Sequence, residues 1–238
     1  MSSNKGTIFL IPSFLSEDNE PDFMAPQIVD VIRHTDYYLV ENIRTARRYI
    51  SKLKSGRVIE EMTFFTLDKK TSERDVEAYF RQIPMGVSVG VISEAGCPGV
   101  ADPGAVAVTY GHKNGWAIKP LPGPSAILMA LMGSGFSGQR FAFQGYLPVD
   151  RKARGKQIRI LEKESATGET QLFMETPFRN NHMLEDLLKE LGEDTLLCVA
   201  SDISGSNELI KTLKVADWRK NPPDLYKKPT IFGLGGRK

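Results

Sequence analysis

One acid stands in a loop of small residues and prolines. Glu94 lies in Ser93-Glu94-Ala95-Gly96-Cys97-Pro98-Gly99, directly after the apolar alternation of Val87, Val89 and Val91 with Ile92. A carboxylate in such a place accepts hydrogen bonds from a ligand's hydroxyl or amine, and its small neighbours let backbone approach the ligand. The β-branched run reads as a buried strand, which Gly96, Pro98 and Gly99 stop. A Gly-rich loop at the carboxyl end of a buried strand is where open α/β sheets bind ligands. A second such stretch, Pro120-Leu121-Pro122-Gly123-Pro124-Ser125-Ala126, offers a hydroxyl at Ser125, itself a good helix N-cap. Arg179 follows the run ending in Met174-Glu175-Thr176-Pro177-Phe178, and its planar fork suits a phosphate or carboxylate. Arg151, Lys152, Arg154, Lys156 and Arg159 put five cations in nine residues with no acid among them. That run is either a phosphate-tracking patch or a solvated helix face.

An alternating βα series is expected to position these groups. Thr7–Ile11 reads as a strand ending at Pro12-Ser13, before an acidic loop with Glu17, Asp18, Glu20 and Asp22. Helix 24–34, strand 37–40 ending in Glu41-Asn42, helix 44–53 and a strand over 58–67 follow. Ser72 and Asp75 form a capping box for a helix that buries Val76, Tyr79, Phe80 and Ile83. The Glu94 strand, a helix to Asn114 and a short strand at 117–120 complete a mainly parallel sheet. The Pro-rich stretch then reads as a hinge, dividing the chain into 1–119 and 120–238. A second series follows: strands at 141–144, 170–174 and 196–200, a strand or turn at 208–213, and a strand at 230–234. Its helices fall at 151–164, 180–191 (closed by Gly192) and 215–218. The expected fold class is α/β, two α/β lobes with a cleft between them.

The chain has 238 residues, 41% of them hydrophobic, and its net charge of +2 supplies no global field toward nucleic acid, so any basic footprint must be local. Two distant cysteines, Cys97 and Cys198, point to no disulfide framework and to a reducing cytoplasm. No stretch approaches the ~20 apolar residues of a membrane helix, and the first apolar run is short for a signal peptide. His34, His112 and His182 lack metal-ligand spacing, so no metal is expected. Gly233–Gly236 has no helix after it and is not read as a phosphate loop, and no GxGxxG follows the first strand, which disfavours a dinucleotide oxidoreductase.

Val91–Gly104 (VISEAGCPGVADPG) followed by PLPGPSAILMAL resembles the tetrapyrrole (corrin/porphyrin) methylase superfamily. Within it the chain is most similar to the bacterial 16S ribosomal RNA 2′-O-ribose methyltransferases, whose pattern runs V-S-D-A-G-T-P-x-I-S-D-P-G, then P-L-P-G-P. The likeness continues through Arg140-Phe141, Gly145-Tyr146-Leu147-Pro148 and Phe173–Arg179. It implies a homodimer of two-domain chains, S-adenosylmethionine bound in the cleft, and methyl transfer to RNA ribose. Carried over residue by residue, it implies cofactor contacts at Pro12, Glu94, Ala95, Gly96, Val100, Ala101, Ser125, Ala126, Met174, Glu175 and Ala200. It implies catalytic roles for Glu41 and Arg179, and RNA contacts at Arg44, Arg151, Lys152 and Arg154. The sequence also departs from the pattern. Glu94 replaces an Asp, and Asn42 replaces an Asp and cannot serve as a base. Residues 200–205 lack the family's Arg and Lys, and the acids at 17–20 would repel RNA. A small tetrapyrrole-like acceptor, or a cofactor-binding chain without activity, are the alternatives.

Overall fold

The computed structural model describes residues 5–235. Two compact units make up the chain, the first running to Ser125 and the second starting at Ala126.

In the first unit the elements are β1 (Thr7–Ile11), α1 (Pro26–Arg33), β2 (Tyr37–Val40), α2 (Ile43–Lys52), β3 (Thr63–Thr66), α3 (Glu73–Phe80), β4 (Val89–Ile92), α4 (Gly104–Lys113) and β5 (Ala117–Pro120). The strands form one parallel sheet in the order β3-β2-β4-β1-β5. Side chains alternate across a strand, so each face builds its own core. Ile11, Tyr38, Val40 and Ile92 pack with Ile28 and Ile32 of α1 and Tyr49 and Ile50 of α2. Ile8, Leu39, Val89 and Val91 pack on the opposite face with Val76 and Phe80 of α3 and Ala107 of α4. The chain therefore leaves β1 over one face and β4 over the other. These two neighbouring strands are the point at which the winding direction reverses, and ligands of open α/β sheets bind beside the strand ends there.

The second unit contains α5 (Ala126–Ser134), β6 (Phe141–Tyr146), α6 (Arg151–Ala166), β7 (Thr170–Met174), α7 (Asn180–Glu190), β8 (Leu196–Ser201), β9 (Leu209–Lys214), α8 (Val215–Trp218) and β10 (Thr230–Gly235). Its sheet runs β6-β7-β10-β8-β9 and is mixed: β6 and β7 are parallel, and every other pairing is antiparallel. Phe173, Leu197, Val199, Phe232 and Leu234 pack against Ile158 and Leu161 of α6 and Met183, Leu184 and Leu187 of α7. Gly233 and Gly235 alternate with those β10 residues and face away from that core. A Cβ on Gly235 would lie 2.3 Å from the Phe136 ring, so Gly235 makes room for Phe136, and Gly236 of this motif lies outside the described residues.

Three expectations change. The strand expected over 58–67 is reduced to Thr63–Thr66, after a single 3-10 turn at Ile59–Glu61. Its sole partner β2 has only four residues, so the ladder cannot be longer. Gly192 does not close α7 through a left-handed turn; the helix ends on extended Leu191, and the Gly192 amide donates to Glu162 Oε1 at 2.7 Å. The Pro-rich stretch stays with the first unit beyond residue 119: the Leu121 amide donates to the Leu10 carbonyl at 3.0 Å, and the Leu121 side chain joins the α1–α2 core.

Gly90, in the middle of β4, lies under the buried Tyr38 ring of the adjacent strand. A Cβ there would meet Tyr38 Cδ1 at 2.7 Å and Ile11 Cδ1 at 2.9 Å. Gly90→Ala is expected to destabilise the first unit by about 1–3 kcal/mol, read as a lower urea midpoint.

Candidate active site

Three strand-end loops of the first unit converge. After β1 and β4, Ser13 and Gly96 exchange backbone hydrogen bonds: the Ser13 amide donates to Gly96 O at 2.9 Å, and the Gly96 amide donates back to Ser13 O at 3.3 Å. The Ser93 hydroxyl, buried, donates to Gly96 O at 2.5 Å. The loop after β5 closes on both. Cys97 Sγ lies 3.3 Å from Pro124 O, and a Cβ on Gly123 would lie 2.4 Å from Pro12 Cβ. Gly96 has φ +73°, and a Cβ on it would come within 3.2 Å of Leu15 Cδ2 and Pro124 O and 3.9 Å of Ser125 Cα. Pro12, Gly96 and Ser125 are thereby brought together, with Tyr49 OH donating to Pro12 O at 2.6 Å.

The rest of the β4–α4 loop is held by one acid. Asp102 Oδ1 accepts from the amides of Gly99 and Gly104, each at 2.7 Å. Between them Ala101 adopts φ +57°, a conformation that costs a residue with a Cβ and persists only where its surroundings impose it. The loop thereby exposes Glu94, Ala95, Val100 and Ala101.

The Glu94 carboxylate accepts a short hydrogen bond from Thr45 Oγ1 of α2. Glu41 follows β2 on the same sheet edge. Burial raises its carboxyl above the ordinary range, and the negative charges of Asp102 and Glu94 raise it further. Asn42 caps α2, accepting from the amides of Arg44 at 2.9 Å and Thr45 at 3.4 Å. Arg44 is exposed. A cavity of about 350 Å³ lies between the loops and α2, with Ser13, Ser16, Thr45, Arg48, Lys52, Glu94 and Ala95 in its wall.

In the second unit, Met174 ends β7 and Ala200 is the penultimate residue of β8, the two strands that flank β10. Both pair with Ile231, so they share one row across β7, β10 and β8, roughly 9–10 Å apart at two strand spacings. Glu175, just past β7, is buried and accepts from the Thr176 amide and Arg179 Nη2, both at 2.6 Å. Arg179 Nε is buried without a hydrogen-bond partner. Among the described residues no group of three His, Cys, Asp or Glu is placed to hold a metal, and no helix is long and apolar enough to cross a membrane.

No family model matches the chain. Curated relatives do. The chain is 31% identical over 194 residues to the ribosomal RNA small subunit methyltransferase I of Vibrio cholerae, covering 82% of this chain and 65% of that protein. It is 24% identical over 243 residues to the protein of the same name from Escherichia coli O157:H7, covering 99% of this chain and 80% of that one. Among solved structures, the methyltransferase CobJ matches with a TM-score of 0.65 and 17% identity over 98% of this chain and 97% of that chain. The Thermus thermophilus uroporphyrin-III C-methyltransferase complexed with S-adenyl homocysteine matches at 0.55 and 16% identity over 97% of each chain. The chain therefore shares the fold of these solved methyltransferases and is similar in sequence to ribosomal RNA small subunit methyltransferase I, whose Vibrio cholerae member it matches over slightly less than two thirds of that protein's length.

One substrate expectation needs correcting. Arg154 is not part of an exposed patch. It is buried, its Nε and Nη2 donating to Asp186 Oδ2 at 2.8 and 2.5 Å and its Nη1 to Val149 O at 2.9 Å. Arg151 Nε donates to the other Asp186 oxygen at 2.7 Å, and Arg159 pairs with Glu190. Only Lys152 and Lys156 of the run are exposed without an ion pair among the described residues. Asp186 lies over thirty residues from these arginines in the sequence, so the local charge pattern hid their partner. Sequence reasoning also passed over Thr45, Arg48, Tyr49 and Lys52. Their signal was the i, i+4, i+8 spacing of Arg44, Arg48 and Lys52, with Thr45 one residue from the first.

Asp102→Ala removes two hydrogen bonds that hold Ala101 in the left-handed region. It is expected to cost about 1–3 kcal/mol of stability, measured by urea unfolding.

Proposed function

We propose that this chain is a member of the tetrapyrrole methylase superfamily and transfers a methyl group from S-adenosylmethionine to small-subunit ribosomal RNA. The observation that carries the reading is the convergence of three strand-end loops around an exposed carboxylate, in a chain whose curated relatives are named rRNA methyltransferases. The residues suit the cofactor. Glu94 offers a carboxylate to a hydroxyl or ammonium group, and Ala95, Val100 and Ala101 offer small exposed apolar surface. Bound S-adenosylmethionine supplies an electrophilic methyl on a sulfonium, so the protein must mainly align the acceptor and exclude water.

Pro12, Gly96 and Ser125 form the floor of the cofactor site in this reading. Glu41, whose raised carboxyl supports the role, accepts the proton of a ribose hydroxyl in this reading. Arg179, anchored through Nη2 to Glu175 and with its side chain 40% exposed, is suited to an RNA phosphate. Arg44, Arg151 and Lys152, all exposed, are further phosphate contacts. Leu128 and Met132, four residues apart on α5 and respectively 50% and 81% exposed, support pairing with a second copy. The free thiols of Cys97 and Cys198 support a reducing, cytoplasmic setting.

Incubation with methyl-labelled S-adenosylmethionine and 16S rRNA or small ribosomal subunits is expected to label the RNA at a ribose, seen as an alkali-resistant linkage. Label appearing only in a tetrapyrrole acceptor would overturn the assignment.

Glu41→Gln is expected to lower kcat and abolish the acid limb of the pH–rate profile while leaving cofactor affinity near wild type. The same raised carboxyl fixes the sign of a stability effect. Ionising Glu41 costs stability as pH rises through its folded pKa, so Glu41→Gln should raise Tm at about pH 8, and the gain should vanish by about pH 4.

A further inference from the structure

We propose that the exposed face of α2 is the surface along which this protein tracks the phosphates of its RNA, and that two glutamates of the β1–α1 loop stand in for those phosphates when RNA is absent. The proposal rests on the RNA reading above and assigns residues to it. Arg44, Arg48 and Lys52 recur every four residues along α2. At the helical rise this places them about 6 Å apart along the axis, a step comparable to that between successive phosphates of an RNA strand. Arg48 and Lys52 line the 350 Å³ cavity with the hydroxyl-bearing Ser13, Ser16 and Thr45. Glu94 in the same wall engages Thr45, so the cation stripe runs up to the loop proposed to hold the cofactor. Arg47, on the adjacent flank of the helix, pairs with Glu60 at 3.2 Å and is not part of the stripe.

The acids of the β1–α1 loop, which by sequence alone read as repelling RNA, lie over these cations. Glu17 Oε1 sits 3.9 Å from Arg48 Nη2, and Glu20 Oε1 sits 3.8 Å from Lys52 Nζ. Both distances are beyond a hydrogen bond, and the glutamate side chains are 92% and 70% exposed. Ion pairs this long and this solvated contribute little to stability. They are weak enough for a polyanion to displace and strong enough to lower the affinity of the free protein for stray anions. Lys52 Nζ keeps its place independently of them, donating to Glu17 O at 2.8 Å and lying 5.4 Å from the centre of the Phe14 ring.

The test measures affinity for a 16S rRNA transcript as a function of salt. Arg48→Ala with Lys52→Ala is expected to weaken binding and to reduce the slope of log K against log salt by about 1 for each cation removed. Glu17→Gln with Glu20→Gln is expected to tighten binding. Both variants should keep wild-type affinity for S-adenosylmethionine, which shows that the first unit is folded. An unchanged salt slope in the first variant, with cofactor binding intact, overturns the α2 assignment and leaves the methyltransferase reading standing. Unchanged or weaker RNA affinity in the second variant overturns the stand-in role, and does so even if the first variant misfolds. A wild type that methylates no RNA and binds none removes the functional reading and this proposal together.

Discussion

The backbone exchange between Ser13 and Gly96 is the constraint on which the rest of the first unit's chemistry depends. β1 and β4 are neighbours in the sheet, yet the chain leaves them over opposite faces. Without a tie the two loops would splay apart at the reversal point. The paired hydrogen bonds, reinforced by the Ser93 hydroxyl, form an isolated antiparallel bridge beyond the end of the parallel β1–β4 ladder. The third loop then packs Gly123 on Pro12 and Pro124 on Cys97. Glycine is required at 96 and at 123 for different reasons. At 96 the backbone is left-handed; at 123 a Cβ would occupy the space of the Pro12 ring.

Charge is arranged around that tie in two layers. Glu41, Glu94 and Asp102 surround the strand ends closely enough that the latter two disfavour ionisation of the first. Asp102 is committed to backbone amides, and Glu94 is held by Thr45. Glu41 has the perturbed carboxyl, which is the property that general acid–base chemistry near neutrality asks of a carboxylate. In the second unit the same economy of partners governs arginine. Arg154 is buried because Asp186 and two carbonyls satisfy it, whereas Arg179 keeps one nitrogen unpaired beside the buried Glu175.

Much of this was legible in the sequence, and for identifiable reasons. Strands 7–11, 37–40 and 170–174 fall where the apolar runs place them, because buried strands leave a β-branched or aromatic signature bounded by Pro, Gly or acid. The Ser72–Asp75 capping box is present in full, because it is a local device whose partners are three residues apart. What stayed hidden involves partners distant in sequence. Asp186 claims two arginines that looked free, Thr45 reaches Glu94 across 49 positions, and the Tyr38 ring dictates a glycine at 90. The mixed sheet of the second unit also escaped. Pairing direction is set by connection geometry, and nothing in the composition of strands 196–201 or 230–235 encodes it.

Calorimetric titration of the protein with S-adenosylmethionine, beside Glu94→Ala combined with Ser125→Trp, addresses the proposed cofactor site most directly. The arrangement of loops predicts micromolar binding, about −8 kcal/mol, that is lost in the double variant while its fold is retained. No heat of binding in the wild type, or equal affinity in the double variant, would contradict it.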